Sequence, residues 1–265
     1  MSIHPTAVVD PGAKLGAGVV VGPYAVIEGD VEVGEKTRIG PHVVIHPHTR
    51  IGKGCEIHAH AVVGDTPQDL VFKPVTSFVE IGDDCVIREA VTIHRGTKGG
   101  TKTVVGRGCY LMANSHLAHN VELGEKVILA NGVLLAGYVV VGDGAFLSGN
   151  CVVHQFVRIG RLAMLGGLSA IGKDVPPFCM TRSGDVNLIV GLNVVGLRRA
   201  GFAPEQRKEV RRAFDLLYRS GLNVSQALKK MKAEFTEGPA LEVLEFVEGS
   251  ERGICAKSAV AGEDD

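Results

Sequence analysis

The chain has 265 residues, of which 45% are hydrophobic, and its formal net charge at pH 7 is -1. A chain so close to electrical balance lacks the basic surplus that is typical of nucleic-acid-binding proteins. The aromatic content is only 5%, tryptophan is absent and there are 35 glycines, a composition that favours a repeat array over a mixed α/β domain.

A six-residue period runs through the first two-thirds of the chain. Every sixth residue is a branched aliphatic over residues 3–63, 81–93 and 105–171, and the residue two places earlier is usually small or β-branched. Hexapeptide periodicity predicts a parallel β-helix, in which three hexapeptides form one coil of about 18 residues. We therefore predict an all-β solenoid domain over residues 1–175, with two inward residues in each hexapeptide.

The cysteines and the N-terminus both bear on the cellular compartment. Four cysteines fall in the small inward register and are predicted to be reduced core residues, which favours the cytoplasm: Cys55, Cys85, Cys109 and Cys151. The N-terminus lacks the basic start and apolar stretch of a signal peptide. The uncharged residues 127–142 keep the six-residue period and are too few for a membrane-spanning helix, which needs about 20.

Two segments interrupt the repeat, at residues 65–79 and 95–104. Val63 and Ile81 are 18 residues apart, the length of one coil, so we interpret the first segment as an irregular part of an ordinary coil. The second is rich in Gly and Lys, as exposed loops are, and it lacks the Gly-x-x-x-x-Gly-Lys-Ser/Thr pattern of a phosphate-binding loop. Loops that leave a regular scaffold are where functional sites concentrate.

Beyond the last repeat, residues 176–265 are predicted to form a helical capping domain. Pro204 and Gly221 bound a helix over residues 204–220, Ser225 opens a second, and residues 239–248 form a third. These helices would cover the unpaired strand edges at one end of the solenoid. The tail from Gly249 is expected to fray.

The ten histidines divide by their phase in the repeat. His4, His46 and His58 directly follow an inward aliphatic and are predicted to make surface or inter-subunit hydrogen bonds at corners. His116 and His119 occupy no inward register and should point outward.

Coil counting places His119 beside a glycine. Adding one coil of 18 residues to His119 leads to Gly137, and a second coil leads to Gln155, which follows His154. These positions should stack on one outer edge, about 4.8 Å apart per coil. A general base beside an unobstructed backbone amide is an arrangement suited to acyl transfer, because the base takes a hydroxyl proton and the amide stabilises the oxyanion.

At these residues the sequence resembles, over its whole length, the UDP-N-acetylglucosamine O-acyltransferases of lipid A biosynthesis. The resemblance rests on segments around Gln68-Asp69-Leu70, Ile93-His-Arg-Gly96, Asn114-Ser-His-Leu-Ala-His119, Val153-His-Gln-Phe156, Asp174-Val-Pro-Pro177 and Asn193 to Phe202. It implies a left-handed β-helix and a homotrimer with active sites between subunits. It also implies transfer of a 3-hydroxyacyl chain from acyl carrier protein to a sugar 3-hydroxyl in the bacterial cytoplasm, without a cofactor of the enzyme's own.

The resemblance also assigns roles to residues of this chain. His119 would be the general base, Asn120 would orient it and Gly137 would supply the oxyanion amide. The implied substrate-binding residues are Gln68, Asp69, Lys73, His116, Tyr138, His154, Gln155, Asn193, Arg198 and Arg199.

Several positions depart from the family pattern. Asn120 stands where Asp is usual; its carbonyl can still hold the histidine tautomer but brings no charge. Other departures are Val71 for Lys, Tyr138 for His, Val195 for Glu and Ala200 for Arg. The acceptor is therefore UDP-N-acetylglucosamine or a variant UDP-amino sugar. The acyl length is not predicted, because the region around Asp185 and Val186 is unlike the family pattern.

A basic group near the capping helices has two interpretations. It would attract acidic acyl carrier protein by complementary charge, or it is an ordinary solvated helix face: Arg198, Arg199, Arg207, Lys208, Arg211 and Arg212.

Three alternatives to this function remain at the level of sequence. One is another hexapeptide acyltransferase that uses acyl-CoA or a variant amino sugar. The second is a zinc-dependent hydratase like the solenoid carbonic anhydrases, which would need three histidines to converge between subunits, and His94, His116 and His119 are the candidate set. The third is a purely structural or binding solenoid, for which the two loops have no purpose.

Overall fold

A computed structural model describes residues 1–257 and shows a three-sided parallel β-helix followed by helices. Each coil contributes one short strand to each of three sheets. Within a sheet, a strand pairs in parallel with the strand one coil later, as Ser2–Ile3 does with Val20–Val21. The six-residue period therefore becomes a stack of inward side chains, and the predicted solenoid is confirmed.

Each sheet runs along the solenoid. The first sheet contains Ser2–Ile3, Val20–Val21, Arg38–Ile39, Glu56–Ile57, Val86–Ile87, Tyr110–Leu111, Ile128–Leu129, Phe146–Leu147, Met164–Leu165, Cys179–Thr181, Leu188–Leu192 and Ala256–Lys257. The second contains Val8–Val9, Val26–Ile27, Val44–Ile45, Val62–Asp65, Thr92–His94, His116–Leu117, Leu134–Leu135, Val152–Val153 and Ala170–Ile171. The third contains Lys14–Leu15, Val31–Val33, Thr49–Ile51, Phe78–Ile81, Lys102–Val105, Glu122–Leu123, Val140–Val141 and Arg158–Ile159.

The solenoid interior is narrow and aliphatic. Leu111, Leu129 and Leu147 stack on successive coils, each with 0% of its surface exposed. The cysteines predicted to be reduced core residues are buried and unpaired. The Cys85 thiol, for example, donates to the Gly106 carbonyl at 3.1 Å. The interior thus holds its thiols by packing and weak hydrogen bonds to the next coil.

The two interruptions are insertions into otherwise regular coils. Ile81 pairs with Ile51, 30 residues earlier, so that coil is two hexapeptides longer than usual. Val105 pairs with Ile81 across a coil that is one hexapeptide longer. The interpretation of the step from Val63 to Ile81 as one ordinary coil is therefore wrong, because an insertion of whole hexapeptides leaves the sequence period in phase. Both insertions leave the solenoid between the second and third sheets.

Four helices follow the solenoid: α1 (Val194–Arg199), α2 (Pro204–Tyr218), α3 (Val224–Glu234) and α4 (Gly238–Glu248). The last three lie where the sequence predicted helices. They pack around a separate core that includes Phe178, Val210, Met231 and Val243. The sequence did not predict α1, which has six residues and contains a glycine. None of the helices in residues 1–257 is long and apolar enough to cross a membrane.

The helical region is held on the solenoid by polar groups. The Nε and Nη2 atoms of Arg161 donate hydrogen bonds to the Glu242 carboxylate, at 3.0 and 2.6 Å. The Asp174 carboxylate is 1% exposed and accepts hydrogen bonds from the Arg158 amide and the Ser250 hydroxyl, both at 2.8 Å. Such charge-assisted bonds are stronger than neutral ones, so they fix how the helices sit on the last coils.

The chain returns to the solenoid after α4. The amide of Cys255 donates to the Asp174 carbonyl at 2.8 Å, and Ala256–Lys257 pairs with Leu188–Ile189. Residues 249–257 are thus tied to the last coils, whereas the sequence led us to expect fraying from Gly249. The rest of that expected tail, residues 258–265, lies outside the described residues.

Candidate active site

The predicted catalytic residues and some of the predicted substrate-binding residues gather at the corner between the second and third sheets. The strands that precede His119, Gly137 and Gln155 pair with one another on successive coils. The corner residues that follow these strands therefore stack as the coil count predicted. Because both insertions leave the solenoid at this same corner, they lie beside the stack.

The imidazole of His119 lies against the backbone of Gly137. A β-carbon at Gly137 would come within 2.6 Å of the His119 Nε2 atom, closer than real side chains approach. Only glycine leaves room for the ring here. Within residues 1–257 the Gly137 N–H donates to no acceptor, whereas the adjacent Ala136 and Tyr138 amides both donate to carbonyls.

Asn120 connects His119 to the second inserted loop. Its backbone is left-handed, with φ of 60°, a conformation that Asn tolerates better than most residues. Its side-chain Oδ1 lies 3.1 Å from the His119 Nδ1 atom and accepts hydrogen bonds from both the amide and the hydroxyl of Thr97, each at 3.0 Å. The Thr97 hydroxyl also lies 2.9 Å from the hydroxyl of Tyr138.

A cleft of about 530 Å³ opens over these residues. The first inserted loop forms one wall and the solenoid corner the other. The lining residues are Gln68, Asp69, Leu70, Val71, Phe72, Thr97, Lys98, His119, Tyr138, Gln155 and Phe156. The Tyr138 ring meets His119 edge-on at 5.2 Å and stacks on Phe156 at 5.0 Å. The site therefore combines an apolar ring surface with a small number of polar groups, as small-molecule sites do.

His116 and His94 lie on the second sheet beside the cleft. Their rings meet edge-on at 5.0 Å, and the His116 Nδ1 atom lies 2.7 Å from the Thr92 hydroxyl. Burial, with His94 as a second cause, lowers the pKa of His116 to about 4. Burial likewise lowers the pKa of His94. Both rings are therefore neutral at physiological pH and present hydrogen-bonding groups without charge.

Several predicted substrate contacts lie outside the cleft of a single chain. Lys73 is exposed on the first inserted loop, and His154 is exposed at the corner, where its Nδ1 atom lies 3.1 Å from the Gln155 carbonyl. Arg198 and Arg199 are exposed in the last turn of α1.

Asn193 has a structural role that the sequence did not reveal. Its side chain caps α1 by accepting from the Gly196 amide at 2.9 Å and donates to the Leu162 carbonyl at 2.8 Å. Since the residue is only 8% exposed, both polar groups of its side chain are used within the protein.

Sequence reasoning missed Thr97 and Phe156 as site residues. Thr97 directly follows the Ile-His-Arg-Gly segment, but a loop outside the repeat gives no period from which its neighbours could be counted. Phe156 follows Gln155 in the stacked corner and could have been found by counting one coil from Tyr138. Within residues 1–257 of one chain, no three metal-ligating side chains are grouped so that they could hold an ion.

The hexapeptide solenoid places this chain in the class of hexapeptide-repeat transferases. The family described as "Bacterial transferase hexapeptide (six repeats)" matches residues 30–65 and 102–137. The family described as "Udp N-acetylglucosamine O-acyltransferase; Domain 2" matches residues 174–255.

Whole-chain relatives narrow this class to one family. The chain is 54% identical over 254 residues to the acyl-[acyl-carrier-protein]--UDP-N-acetylglucosamine O-acyltransferase of Alkalilimnicola ehrlichii, covering 95% of this chain and 98% of the relative. A solved structure of the Francisella novicida UDP-N-acetylglucosamine acyltransferase is 38% identical with a TM-score of 0.93, covering 97% of this chain and 94% of that one. That of Bacteroides fragilis is 39% identical with a TM-score of 0.91, covering 95% and 99%.

The chain belongs to the UDP-N-acetylglucosamine O-acyltransferase family and is an acyltransferase. The family resemblance and the left-handed β-helix with a helical C-terminal region are thereby confirmed.

Proposed function

We infer that the chain transfers a 3-hydroxyacyl group from acyl carrier protein to the 3-hydroxyl of UDP-N-acetylglucosamine, the first step of lipid A biosynthesis. The names of full-length relatives support both the donor and the acceptor. The observation that carries the mechanism is the contact between the His119 ring and Gly137, which places a base and a backbone amide side by side. The acyl group arrives on the phosphopantetheine of the carrier protein, so the enzyme needs no cofactor of its own.

The chemistry follows from the two nitrogens of His119. Its Nδ1–H donates to Asn120 Oδ1, so Nε2 is the unprotonated nitrogen and accepts the proton of the sugar 3-hydroxyl. The sugar oxygen attacks the thioester carbonyl, and the Gly137 amide stabilises the resulting oxyanion. When the intermediate collapses, the C–S bond breaks and the thiol takes the proton back from the imidazolium.

The sugar nucleotide and the carrier protein would approach from different sides. Gln68, Asp69 and Gln155 line the cleft and offer hydrogen bonds to the sugar. At the helical end, Arg207 donates to the Phe202 carbonyl and Arg212 pairs with Glu234, which leaves other basic side chains for an acidic carrier protein. These are Arg198, Arg199, Lys208 and Arg211, all of which are exposed.

The outer surfaces of the sheets support a homotrimer. The outward row of the second sheet is mostly apolar and leads to the corner that holds the cleft: Val8, Val26, Val44, Val62, Thr92, His116, Leu134, Val152 and Ala170. Val8 is 62% exposed and Leu134 46% exposed in a single chain. The outward row of the third sheet instead carries ion pairs such as Lys14–Glu32 at 2.8 Å. Exposed apolar side chains grouped on one face favour a protein interface, and a neighbouring copy on the second sheet would form a further wall of the cleft.

Sedimentation tests the assembly. We expect a particle of three times the 27.9 kDa chain mass, because a ring of heterologous contacts covers the apolar row of each copy. Leu134→Glu should shift the protein toward smaller species and reduce activity. A wild-type monomer with full activity would contradict the proposal.

A transfer assay tests the reaction. Purified protein is incubated with 3-hydroxyacyl-acyl carrier protein and UDP-N-acetylglucosamine, and His119→Ala is expected to lower turnover by about 10²–10⁴-fold. His4→Ala, a change at an exposed corner histidine, is the matched control. Wild-type turnover by His119→Ala would remove this residue as the base.

Competition among substrates tests the acceptor and donor. The assay offers a mixture of donors, namely carrier proteins with acyl chains of several lengths and acyl-CoA. It also offers a mixture of acceptors, namely UDP-N-acetylglucosamine and a 3-amino analogue. One measurement then gives the donor and the acceptor specificity. The amino analogue is included because Val71 and Tyr138, which line the cleft, depart from the family pattern. Preference for acyl-CoA would overturn the assignment of the donor.

A further inference from the structure

Thr97 is the only residue of the second inserted loop whose side chain hydrogen-bonds to a solenoid-corner side chain within residues 1–257. It bonds Asn120 twice, through its amide and its hydroxyl, and bonds the hydroxyl of Tyr138. We propose that Thr97 and Tyr138 are positioning residues, which hold Asn120 in the one orientation that keeps His119 in its basic tautomer. This inference rests on the proposed role of His119 as the general base.

The Thr97 amide determines which end of the Asn120 side chain faces it. A backbone N–H can only donate, so the Asn120 atom 3.0 Å away must be the oxygen and not the NH₂ group. The same oxygen lies 3.1 Å from the His119 Nδ1 atom, so Nδ1 carries the hydrogen. Nε2 is then free to accept a proton.

A rotated Asn120 would disable the base. If the amide turned over, its NH₂ group would face the Thr97 amide, donor against donor, and would donate to the His119 Nδ1 atom. His119 would then carry its hydrogen on Nε2 and could not take a proton from the acceptor. Asn120 is only 8% exposed, so water cannot readily satisfy the rotated group.

Tyr138 supports the hydroxyl half of this arrangement. If the Thr97 hydroxyl donates to Asn120 Oδ1, the Thr97 Oγ1 atom is left to accept from the Tyr138 hydroxyl, 2.9 Å away. The hydrogen bonds then run in one direction from Tyr138 through Thr97 to Asn120. The ring of Tyr138, edge-on to His119 at 5.2 Å, also confines the imidazole.

The need for Thr97 depends on Asn at position 120. A carboxylate has two equivalent oxygens and no NH₂ group, so it cannot be turned the wrong way round. The positioning bonds should therefore matter with Asn120 and lose most of their importance in Asn120→Asp. This dependence separates positioning from a general role in folding the loop.

The test is a set of double-mutant cycles. Thr97→Val and Tyr138→Phe should each lower kcat about three- to tenfold with little change in KM for either substrate, and their combination should cost no more than one alone. Thr97→Ser should restore turnover. In the Asn120→Asp background the same changes should alter kcat less than about twofold. Tyr24→Phe is the matched control, because Tyr24 is a stacked corner tyrosine with φ of 57° on a different corner.

The tautomer of His119 is read directly from ¹⁵N NMR of the imidazole, with the signal assigned by its loss in His119→Ala. We expect the Nδ1–H form in the wild type and a larger share of the Nε2–H form in Thr97→Val, which keeps the amide bond to Asn120 and loses the hydroxyl bond. An unchanged tautomer together with unchanged kcat in Thr97→Val would overturn the inference and leave the base intact. An equal loss of kcat in the wild-type and Asn120→Asp backgrounds would also overturn it, since it would indicate loop folding. Full activity of His119→Ala would refute the proposed base, a separate outcome that the NMR result does not affect.

Discussion

The His119 ring occupies the space that a side chain at Gly137 would need, with Nε2 only 2.6 Å from the position of a β-carbon there. Gly137→Ala should therefore displace the imidazole from the Gly137 amide, the proposed oxyanion site. Because the displaced group is the end of a side chain and not backbone, the fold should survive.

We expect Gly137→Ala to lower kcat by about 10²-fold or more, the effect of losing a positioned base, with little change in thermal stability. Measuring turnover checks the expected loss of activity, and measuring the thermal unfolding midpoint checks the expected stability. Gly99→Ala is the matched control, since nothing lies within 4 Å of a β-carbon there. A stable Gly137→Ala variant with wild-type turnover would disprove the importance of the contact.

Asn120→Asp should maintain or raise turnover. A carboxylate accepts the bonds now made by Asn120 and adds a charge that stabilises the imidazolium. The added charge favours the protonated imidazolium over the neutral ring. Since the base must be unprotonated, the rise of kcat/KM with pH should move to higher pH. A pH–rate profile checks this shift.

The control for that change is Asn120→Gly, which keeps the left-handed backbone and removes the side chain. It should lose most of the activity. A large loss in Asn120→Asp instead would mean that the Asn side chain has a positive role that an acid cannot fill.

The sequence predicts the fold and the stacked part of the site for the same reason. In a solenoid, residues one coil apart are neighbours, so His119 and Gly137 are related by counting alone. The contacts of Thr97 depend on how an insertion folds back, and no period governs that. The capping role of Asn193 was likewise not predictable, because it depends on a short helix that contains Gly196 and lacks a repeat.

Stability should fall as the pH is lowered from about 6.5 to 4. The ordinary pKa of histidine is about 6.5, whereas burial lowers that of His116 to about 4. Between these values the unfolded chain binds a proton that the folded chain refuses, so acid favours unfolding. The lowered pKa of His94 acts in the same direction.

Urea unfolding at several pH values, at one protein concentration, checks this dependence. His116→Gln should reduce the loss of stability between neutral and acid pH. His4→Gln is the control, because the His4 side chain is exposed and, within residues 1–257, hydrogen-bonds only to nearby Thr6. An equal acid sensitivity in wild type and His116→Gln would contradict the assignment.

Asp174→Ala should loosen the helical region from the solenoid. It removes two hydrogen bonds to a buried carboxylate, from the Arg158 amide and the Ser250 hydroxyl. The expected loss of stability is about 1.5–3 kcal/mol. Hydrogen exchange should become faster in residues 249–257 first, and Asp174→Asn, which keeps one acceptor, should show a smaller change. Exchange that is unchanged in this segment would show that other contacts hold it.

The two inserted loops lengthen their coils by whole hexapeptides and leave the coils above and below in register. The strand register of the solenoid is thus unchanged by the two insertions at this corner. A loop at this corner can be exchanged while His119 and Gly137 stay in place, one coil apart. The same property makes the corner a natural grafting point for designed loops that would present other acceptors to an unchanged acyl-transfer centre.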